Sequence, residues 1–429
     1  MTGGGCGSHP FEPYDVVVLG AGYAGLMAAL RMARRKSDLR IALVSARDQF
    51  VERVRLQEGI AAVVPARIPS VAAFLRGKNV PFICGTISAL EADRRRIHVA
   101  MMDGAKRELS FHQAIYALGS DINVDDVPGA AEHAFRLAVE GGMRSGEALR
   151  RKLIANSDNP LRVVVVGGAE TGVEAAGEIK AKWPAMEVTI VTHGRCGDFR
   201  GPRVETAVRV ALVKLGVRLV DNEFVAEVRS YEIITASGRS IACDLCVWSG
   251  GLRSPPVARD GGMAADEKGR VLVDANLRSI SHPHILAVGD AARPIAPTGA
   301  PYRQSAFTAL ISAAYAADVI STQRTQRILP PYSFSTFGQG VAIGHGGVGF
   351  FSYPDDNQRW FIVKGPTARH IRNLLVWLVC YVLKLERRSP GFFFWLGRKR
   401  VSWSQANDAF DRLHTDGAGD NPASLAAGE

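Results

Sequence analysis

The chain has little cysteine, with six residues among 429, and their placement argues against thiol–disulfide chemistry. No cysteine lies between Cys6 and Cys84, so this early part of the chain carries no redox-active dithiol. Cys243 and Cys246 form a Cys-x-x-Cys pair inside the apolar run 241–248, which predicts a strand. Residues three apart on a strand point to opposite faces, which favours ordinary packing over a disulfide or a metal pair. No metal site is predicted.

Long hydrophobic runs are missing as well. The longest, residues 374–383, is about half as long as the ~20 residues that a membrane-spanning helix requires. Residues 1–13 are glycine-rich and lack the apolar core of a signal peptide. The sequence therefore predicts a cytoplasmic protein, with contact at the inner face of the membrane as an alternative. The tails 1–13 and 415–429 are expected to be disordered.

Acidic residues are in the minority, because 42 Asp and Glu stand against 52 Lys and Arg and give a formal net charge of +10. Such an excess favours anionic partners, namely phosphorylated cofactors, anionic membranes or nucleic acid. The chain has no basic stripe interleaved with aromatic residues and no nucleic-acid motif, so nucleic acid is not an expected partner. A Ser/His/Asp arrangement for nucleophilic catalysis is absent too.

What the sequence does contain is one glycine motif written twice. The first copy reads Asp15-Val-Val-Val-Leu-Gly-Ala-Gly-Tyr-Ala-Gly25, and the second reads Arg162-Val-Val-Val-Val-Gly-Gly-Ala-Glu-Thr-Gly172. The last glycines are 147 positions apart (25 to 172), and so are Ser45 and Thr192, which follow the second apolar run of each copy. A strand, a glycine turn, a helix and a second strand form the βαβ unit that binds a dinucleotide.

Each part of the motif has a physical role. The first glycine makes the tight turn, the second lets backbone N–H groups approach a pyrophosphate, and the third lets the helix pack closely on the sheet. The runs 16–19 and 163–166 are rich in β-branched residues, as expected of parallel strands buried on both faces. A glycine turn in some other α/β protein is the competing interpretation for either copy alone. Two copies in register predict two bound dinucleotides, and hence electron transfer between them.

The repetition continues beyond the glycines. Residues 97–111 alternate around the Asp103-Gly104 turn, which is a hairpin signal, and lead to Gly119. In the second half, residues 231–241 form a similar pattern and lead to Gly250-Gly251. Each half is therefore interpreted as a βαβ unit, a hairpin and a strand that returns to a glycine.

These motifs together resemble those of flavoprotein pyridine-nucleotide oxidoreductases with two dinucleotide-binding domains. The likeness is greatest to type II NADH dehydrogenases and to flavoproteins of the apoptosis-inducing-factor kind. It covers roughly residues 14–363 and rests on four motifs. These are Leu19-Gly-Ala-Gly-Tyr-Ala-Gly-Leu26, Tyr116-Ala-Leu-Gly-Ser120, Gly167-Gly-Ala-Glu-Thr-Gly-Val-Glu174 and Ile285-Leu-Ala-Val-Gly-Asp-Ala291.

The resemblance implies an α/β fold with two Rossmann-like dinucleotide-binding domains and a smaller C-terminal α+β region. The FAD domain would comprise residues 14–121 and 252–328, interrupted by an inserted NAD(P)H domain at 122–251. The C-terminal region would comprise residues 329–412. In such an enzyme, hydride passes from the nicotinamide to FAD, and the electrons then pass to a quinone or quinone-like acceptor.

The resemblance also assigns site residues. Glu174 would lie near the nicotinamide, and Asp290 would bond the ribityl chain of FAD. Gln304 matches one of two glutamines that line the quinone pocket of type II enzymes, while Thr308 replaces the other. Catalytic roles are therefore expected for Glu174 and Gln304. The expected cofactor-binding residues are Gly20, Ala21, Gly22, Gly25, Ser45, Arg53, Gly119, Gly167, Gly172, Thr192, Arg195, Gly251, Gly289 and Asp290.

Three positions depart from the family pattern. Ser45 and Thr192 stand where a carboxylate usually binds a ribose diol, and Ala169 replaces the middle glycine of the second turn. A missing acid near Arg195 favours a 2′-phosphate, which predicts tolerance of NADPH or a preference for it. A surface loop that merely contains Arg195 is the competing interpretation. The reductant is therefore expected to be NADH or NADPH.

Arg53 and Arg55 share an apparent helix with Glu52 and Glu58. The resemblance places this segment beside the flavin, where the two arginines would stabilise negative charge on the reduced ring or on an acceptor. An i,i+3 ion-pair lattice without a chemical role is the alternative.

The C-terminal apolar run, residues 374–383, is followed by cations and aromatic residues up to position 400. This segment would either rest on an anionic membrane surface or pack against the FAD domain or a partner subunit, such as the second copy in a homodimer. Packing is favoured because the predicted helix has no wide polar face.

Three functions remain open at this point. The first is an NAD(P)H dehydrogenase with a quinone-like acceptor. The second is a soluble flavin oxidoreductase that acts on a specialised small metabolite. The third is a non-enzymatic flavoprotein that binds nucleotide for structure or signalling.

Overall fold

A computed structural model describes residues 12–34, 38–61, 69–137, 145–198, 201–296, 299, 301–323, 325–334, 338–352, 359–393 and 405. Most of the two predicted disordered tails lies outside these residues. The helices are α1 (Tyr23–Met32), α2 (Leu56–Ala61), α3 (Val71–Leu75), α4 (Ala130–His133), α5 (Gly146–Ala155), α6 (Glu170–Lys182), α7 (Pro202–Leu215), α8 (Val257–Asp260), α9 (Ala306–Gln323) and α10 (Pro366–Arg388).

The strands are numbered in chain order. They are β1 (Tyr14–Leu19), β2 (Ile41–Ser45), β3 (Phe82–Glu91), β4 (Arg96–Met101), β5 (Lys106–Tyr116), β6 (Asp121–Ile122), β7 (Ala134–Arg136), β8 (Arg162–Val166), β9 (Glu187–Val191), β10 (Arg218–Val220), β11 (Val225–Val228), β12 (Glu232–Thr235), β13 (Ser240–Ala242), β14 (Leu245–Trp248), β15 (Leu252–Arg253), β16 (Val271–Leu272), β17 (Ile285–Ala287), β18 (Ala292–Arg293), β19 (Gly338–Ile343), β20 (Gly346–Ser352) and β21 (Arg359–Lys364).

The first unit is built on a parallel sheet in the order β3-β2-β1-β5-β17. Its central strand β1 is buried from Val16 to Leu19, as its β-branched run predicts. Helices α1 and α9 pack together beside this sheet. Strand β4 joins extensions of β3 and β5 in antiparallel pairing, so the predicted hairpin around Asp103-Gly104 is present.

The second unit repeats this plan with the parallel order β10-β9-β8-β14-β7. Val16 pairs with Ile41 in the first unit, and Val163 pairs with Val188 in the second, so even the strand register repeats at the spacing of 147. The predicted α/β fold with two Rossmann-like units is therefore confirmed. A separate antiparallel sheet, β11-β12-β13, contains the second predicted hairpin.

One detail of the predicted strand at 241–248 is wrong. The chain breaks at Cys243 and Asp244, which separate β13 from β14. The break exists because Asp244 accepts hydrogen bonds from the backbone N–H and guanidinium of Arg162 at the start of β8. Both cysteines are buried and neither forms a disulfide, and burial raises the pKa of Cys243 to about 11.

The connections between the two units run side by side. Strand β6, where the chain leaves the first unit, pairs antiparallel with β15, where it returns. The backbone N–H of Asn123 donates to the carbonyl of Gly251 at 2.7 Å, which extends this pairing. The two crossings therefore form one short ribbon that joins the units.

The C-terminal region contacts both units. Its strands β19 to β21 form an antiparallel sheet, from which Val341 and Phe350 join the core of the second unit. Helix α10 instead contributes Val379, Val382 and Leu383 to the core of the first unit, where it packs near α1, α3 and α9. This packing agrees with the favoured prediction for the C-terminal helix.

Candidate active site

The first glycine turn joins β1 to α1. A Cβ on Gly20 or Gly25 would overlap backbone atoms, since Gly20 faces the carbonyl of Ala117 and Gly25 faces the carbonyl of Gly20. Gly20 also has a φ of +99°, a conformation that L side chains rarely adopt. Gly22 caps the N-terminus of α1. No atom of the described residues lies within 4 Å of the position that a Cβ on Gly22 would take. The turn therefore combines two tightly packed glycines with one open position at a helix N-terminus, which suits a pyrophosphate.

The second glycine turn, between β8 and α6, has the same construction. Gly167 packs against Ser249, and Gly172 faces the carbonyl of Gly167. Ala169 occupies the position of Gly22 and caps α6. Because the equivalent position of the first turn is open, the extra methyl group of Ala169 is compatible with the backbone geometry.

The remaining cofactor-binding candidates lie at the same ends of the two sheets. Ser45 ends β2, and its hydroxyl accepts from the backbone N–H of Arg47 at 3.4 Å; Thr192 directly follows β9 and is buried. Gly119 and Gly251 come after β5 and β14 with φ values of +69° and +68°. Ala21 is buried within the first turn. Parallel strands thus bring the predicted residues of each unit to one sheet edge.

Asp290 is a partly buried acidic residue at the carboxyl end of the parallel sheet of the first unit. It lies in a short 3₁₀ turn after β17, and Gly289 beside it packs on Ala24 and Ala309. Its Oδ2 accepts a hydrogen bond from the Ser120 hydroxyl at 3.1 Å, whereas its Oδ1 is buried with no hydrogen-bond partner in the described part of the chain. Burial raises the pKa of this carboxyl. An orphaned, buried carboxylate oxygen is costly, so it points to a missing donor.

Arg53 approaches the same place from the other side. Its Nη1 donates to the carbonyl of Ser120 at 2.5 Å, and its Nη2 lies 3.5 Å from Asp121. Arg55 instead forms ion pairs with Glu52 and with Glu58. The structure thus separates the two arginines: Arg55 belongs to the ion-pair lattice, while Arg53 reaches the Ser120 and Asp290 edge.

The apparent helix that was predicted to carry both arginines is a short 3₁₀ turn, Arg53–Arg55, followed by α2. In this turn the carbonyl of Val54 accepts hydrogen bonds from the side chain of Gln57, three residues later, and from Arg372 of α10.

Gln304 also contacts the Asp290 turn. Its side-chain amide nitrogen donates to the backbone carbonyl of Asp290 at 3.0 Å, where the Ser254 hydroxyl donates too, at 3.3 Å. Thr308, which replaces the second glutamine, hydrogen-bonds Ser305 at 2.9 Å through its hydroxyl. Gln304 is thereby fixed beside the candidate flavin pocket.

Glu174 lies on α6 in a buried cluster that the sequence did not predict. Arg372 of α10 donates to both carboxylate oxygens of Glu174, at 2.9 and 2.7 Å. The backbone N–H of Ala342 donates at 2.9 Å, and the Gln57 amide donates as well. Burial raises the pKa of the Glu174 carboxyl, against the opposite effect of Arg372. Four donors use the acceptor capacity of this carboxylate.

Arg372 extends the cluster to α2, a helix whose Ile60 lies in the core of the second unit. Only 4% of its side chain is exposed, and it also forms an ion pair with Glu58 of α2. Helix α2, helix α6, strand β19 and helix α10 therefore meet at one buried guanidinium. In the sequence Arg372 is one of several polar residues just before the apolar run 374–383, and nothing in that pattern reveals a partner 198 positions away.

Arg195 lies on the loop after β9 and was predicted to contact a phosphate. Its Nε donates to Glu205 of α7 at 2.6 Å, and 56% of the side chain is exposed. The backbone N–H of Gly197, on the same loop, donates to the carbonyl of Gly168 in the second glycine turn at 3.0 Å. Arg195 therefore stands beside the candidate dinucleotide site of the second unit.

Comparisons with known proteins agree on one family. The family described as pyridine nucleotide-disulphide oxidoreductase matches residues 14–316. NADH dehydrogenase-like protein Rv1812c of Mycobacterium tuberculosis is 30% identical over 299 residues, covering 65% of this chain and 72% of the relative. Demethylphylloquinone reductase NdbB of Synechocystis is 24% identical over 345 residues, covering 77% and 85%.

A solved structure shows the same fold. The structure of NDH2 from Plasmodium falciparum in complex with NADH superposes with a TM-score of 0.71 at 16% identity. The alignment covers 91% of this chain and all of the other one, 100%.

Proposed function

The chain belongs to the pyridine nucleotide-disulphide oxidoreductase family and is an NAD(P)H-dependent flavin oxidoreductase; on this premise we propose that its flavin is FAD and its electron acceptor a quinone or quinone-like molecule. FAD is supported by the first unit, where a dinucleotide-type glycine turn and the Asp290 edge lie on one sheet. A flavin mononucleotide has no second phosphate and no adenosine for the Gly22 turn to bind.

The observation that carries the proposal is the orphaned Oδ1 of Asp290. A ribityl hydroxyl is a neutral donor of the kind this buried oxygen lacks. The open Gly22 position at the N-terminus of α1 would take the pyrophosphate, and Arg53 would face the flavin end of the pocket. These residues match in type the ribityl, pyrophosphate and ring parts of FAD.

When bound, the flavin supplies the redox chemistry, because it can accept a hydride from a nicotinamide and release electrons to an acceptor. The chain's own residues orient the partners. The turn at Gly167, Ala169 and Gly172 would hold the NAD(P)H pyrophosphate, and the positive guanidinium of Arg53 would stabilise negative charge near Asp290.

Glu174 acts in this proposal as a positioning residue. Its carboxylate already accepts from Arg372, Ala342 and Gln57, so a hydrogen bond to a nicotinamide amide would require one of these bonds to break. Glu174 instead holds α6, and with it the second glycine turn, in a fixed position relative to α2 and α10.

A quinone-like acceptor is supported by the relatives and by Gln304. One relative is a demethylphylloquinone reductase, and another is a type II NADH:quinone oxidoreductase from Haemophilus influenzae. The bond from Gln304 to Asp290 uses one hydrogen of the amide nitrogen, so the second amide hydrogen remains as a donor for a quinone carbonyl. Thr308, in place of the second glutamine, favours the alternative of a smaller, specialised metabolite.

Contact with a membrane surface is a further part of the proposal. No helix in the described ranges is long and apolar enough to cross a membrane. Helix α10, however, exposes 61% of Leu374 and 49% of Trp377, together with Leu378. Lys384 and Arg388 are exposed toward its C-terminal end. An apolar stripe beside cations suits the interface of an anionic membrane.

Rapid-mixing spectroscopy of the purified, FAD-loaded protein tests the function. NADH or NADPH is expected to bleach the flavin absorbance, and a soluble quinone is expected to restore it with steady turnover. Bleaching followed by reoxidation with oxygen alone would contradict the quinone-like acceptor and favour the metabolite enzyme. A flavin that neither reductant bleaches would contradict the enzyme and favour a non-enzymatic flavoprotein.

A further inference from the structure

The loop between β9 and α7 is fixed against the second glycine turn. Gly197 donates its N–H to the carbonyl of Gly168, and a Cβ on Gly168 would lie only 2.9 Å from the Thr192 methyl group. The position after the second strand of a βαβ unit faces the adenosine ribose of the bound dinucleotide. Residues 192–197 therefore line the place where the 2′ substituent of that ribose would lie.

No carboxylate occupies the usual position for the ribose diol, since Thr192 stands there with its side chain buried. Neighbouring carboxylates are already engaged. Glu205 pairs with Arg195, and Asp221 accepts from the N–H of Cys196 and pairs with Arg209 at 2.7 Å. Glu223 accepts from the Ser237 hydroxyl. Asp198 lies at the exposed far end of the loop, where its backbone N–H donates to the carbonyl of Arg195 at 3.1 Å, and its carboxylate is the group that would compete for a ribose diol.

Arg195 has the geometry of a phosphate-binding arginine. Its Nε is bonded to Glu205, whose side chain is only 10% exposed, so the base of the guanidinium is held in place. The bond leaves the outer Nη edge toward solvent on a side chain that is 56% exposed. A planar guanidinium that is anchored on one edge can offer the other edge to a phosphate with two parallel hydrogen bonds.

We propose that Arg195 recognises the 2′-phosphate of NADPH and makes NADPH the preferred reductant of this protein. The proposal rests on the proposed function, because it takes the second glycine turn as the nicotinamide-dinucleotide site. Its selectivity comes from the absence of an acid at Thr192 together with the anchored cation at Arg195. A surface ion pair with no ligand is the interpretation that the experiment must separate from it.

Calorimetric titration with 2′,5′-ADP and with 5′-AMP tests this proposal without turnover, because neither compound carries a nicotinamide. We expect 2′,5′-ADP to bind at least about tenfold more tightly. Arg195→Leu should weaken 2′,5′-ADP roughly 10- to 100-fold, which is the effect of losing a charge-assisted bidentate contact, and change 5′-AMP by less than about twofold. Arg195→Lys should recover part of the loss.

Two control variants sharpen the test. Arg229→Leu removes another exposed, ion-paired arginine of the same unit and should leave both affinities unchanged. Asp198→Asn should leave 5′-AMP binding unchanged. Equal affinity for the two compounds, or a loss of 5′-AMP affinity in Asp198→Asn, would overturn the assignment of Arg195. If NADH bleaches the flavin as fast as NADPH does, the assignment of Arg195 is overturned but the proposed function stands. If neither reductant bleaches the flavin, the assignment and the proposed function are both refuted.

Discussion

Asp290 shows how a single residue can favour binding at the expense of stability. Its Oδ1 is buried without a partner in the described protein, and burial raises its pKa because the charged form is poorly solvated. A buried carboxylate of this kind destabilises the flavin-free fold unless a ligand supplies the missing donor. Its conformation is therefore explained by the ligand rather than by the fold.

Asp290→Asn is expected to affect stability and flavin binding in opposite directions. Removing the buried charge should raise the free energy of unfolding of the flavin-free protein by on the order of 1 kcal/mol. The same change should weaken FAD roughly tenfold or more, because an amide oxygen is a weaker acceptor than a carboxylate. Urea denaturation and flavin retention on gel filtration measure the two effects. Asp126→Asn, at an exposed ion pair, is the control; a variant that lost both stability and flavin would contradict the argument.

The residues that the sequence predicted are those whose role is local. A glycine that must turn, or a strand end that must face a ribose, is set by neighbours within a few positions, so Gly20, Gly167 and Thr192 could be identified from the motif alone. The partners Glu205 and Arg372 could not, because side-chain pairs between distant elements leave no periodic signal. For Glu174 the sequence identified the position but not the four donors around it.

At the scale of the element, helix α1 depends on two glycines in different ways. Gly25 is needed for the close approach of helix and turn, because its Cβ would overlap the carbonyl of Gly20. Gly22 is needed only for a ligand, since nothing of the protein lies near its Cβ position. The same division explains why the fold of the second unit can tolerate Ala169, whose methyl group would face the pyrophosphate.

Gly25→Ala and Gly22→Ala are expected to separate these two roles. Gly25→Ala should destabilise the flavin-free protein by about 1–3 kcal/mol, since the helix must move away from the turn. Gly22→Ala should leave that stability unchanged and weaken FAD only, through a methyl group that faces the pyrophosphate. Thermal unfolding without flavin and equilibrium FAD titration provide the comparison. Equal destabilisation by both variants would show that the open space at Gly22 is not available.

Helix α10 has one face buried in the core and one apolar face that is exposed. Val379 and Leu383 lie in the core of the first unit, whereas Leu374, Trp377 and Leu378 are exposed. Its apolar composition alone favoured burial, since the sequence does not say how much of the surface the first unit covers. The structure leaves this second apolar face without a covering element among the described residues.

Leu374→Glu combined with Leu378→Glu is expected to reduce binding to anionic lipid vesicles by about tenfold or more, without loss of the fold. Both side chains are exposed, so little packing is lost, while two new charges oppose insertion at an anionic interface. Co-sedimentation with vesicles at low and high salt measures the effect. Val213→Glu, at an equally apolar and exposed site on α7, is the matched control. Unchanged vesicle binding, with a change from dimer to monomer, would assign this face to a second copy instead.

At the scale of the whole molecule, the duplication could be predicted from the sequence, but the contacts that join the two units could not. The spacing of 147 residues fixed two equivalent units, and the strand registers repeat at that same spacing. Besides the β6–β15 ribbon, the units are joined by α2, whose Ile60 lies in the core of the second unit, and by a C-terminal region that packs its strands on one core and its helix on the other. Arg372 is the point where these contacts meet, because it pairs with Glu58 of α2 and with Glu174 of α6.

Arg372→Leu is expected to destabilise the protein by about 3–5 kcal/mol, because it leaves Glu174 buried without its cation. Arg372→Lys should cost less but not restore stability, since a lysine cannot make both parallel bonds to the carboxylate. Arg253→Leu breaks an exposed ion pair with Asp126 and should cost no more than about 1 kcal/mol. Chemical denaturation at a fixed, saturating FAD concentration compares the three variants.

The loss in Arg372→Leu should also depend on pH in a defined direction. Burial raises the folded-state pKa of Glu174, and without Arg372 it should rise further, so the folded variant binds this proton more tightly than the unfolded chain. That contribution is present at low pH and is lost as pH rises through the folded-state pKa. The stability difference from the wild type should therefore widen between about pH 5 and about pH 8. In Arg372→Leu combined with Glu174→Gln, the widening should disappear; a difference that stays constant with pH in the single variant would show that Glu174 is not the group left unpaired.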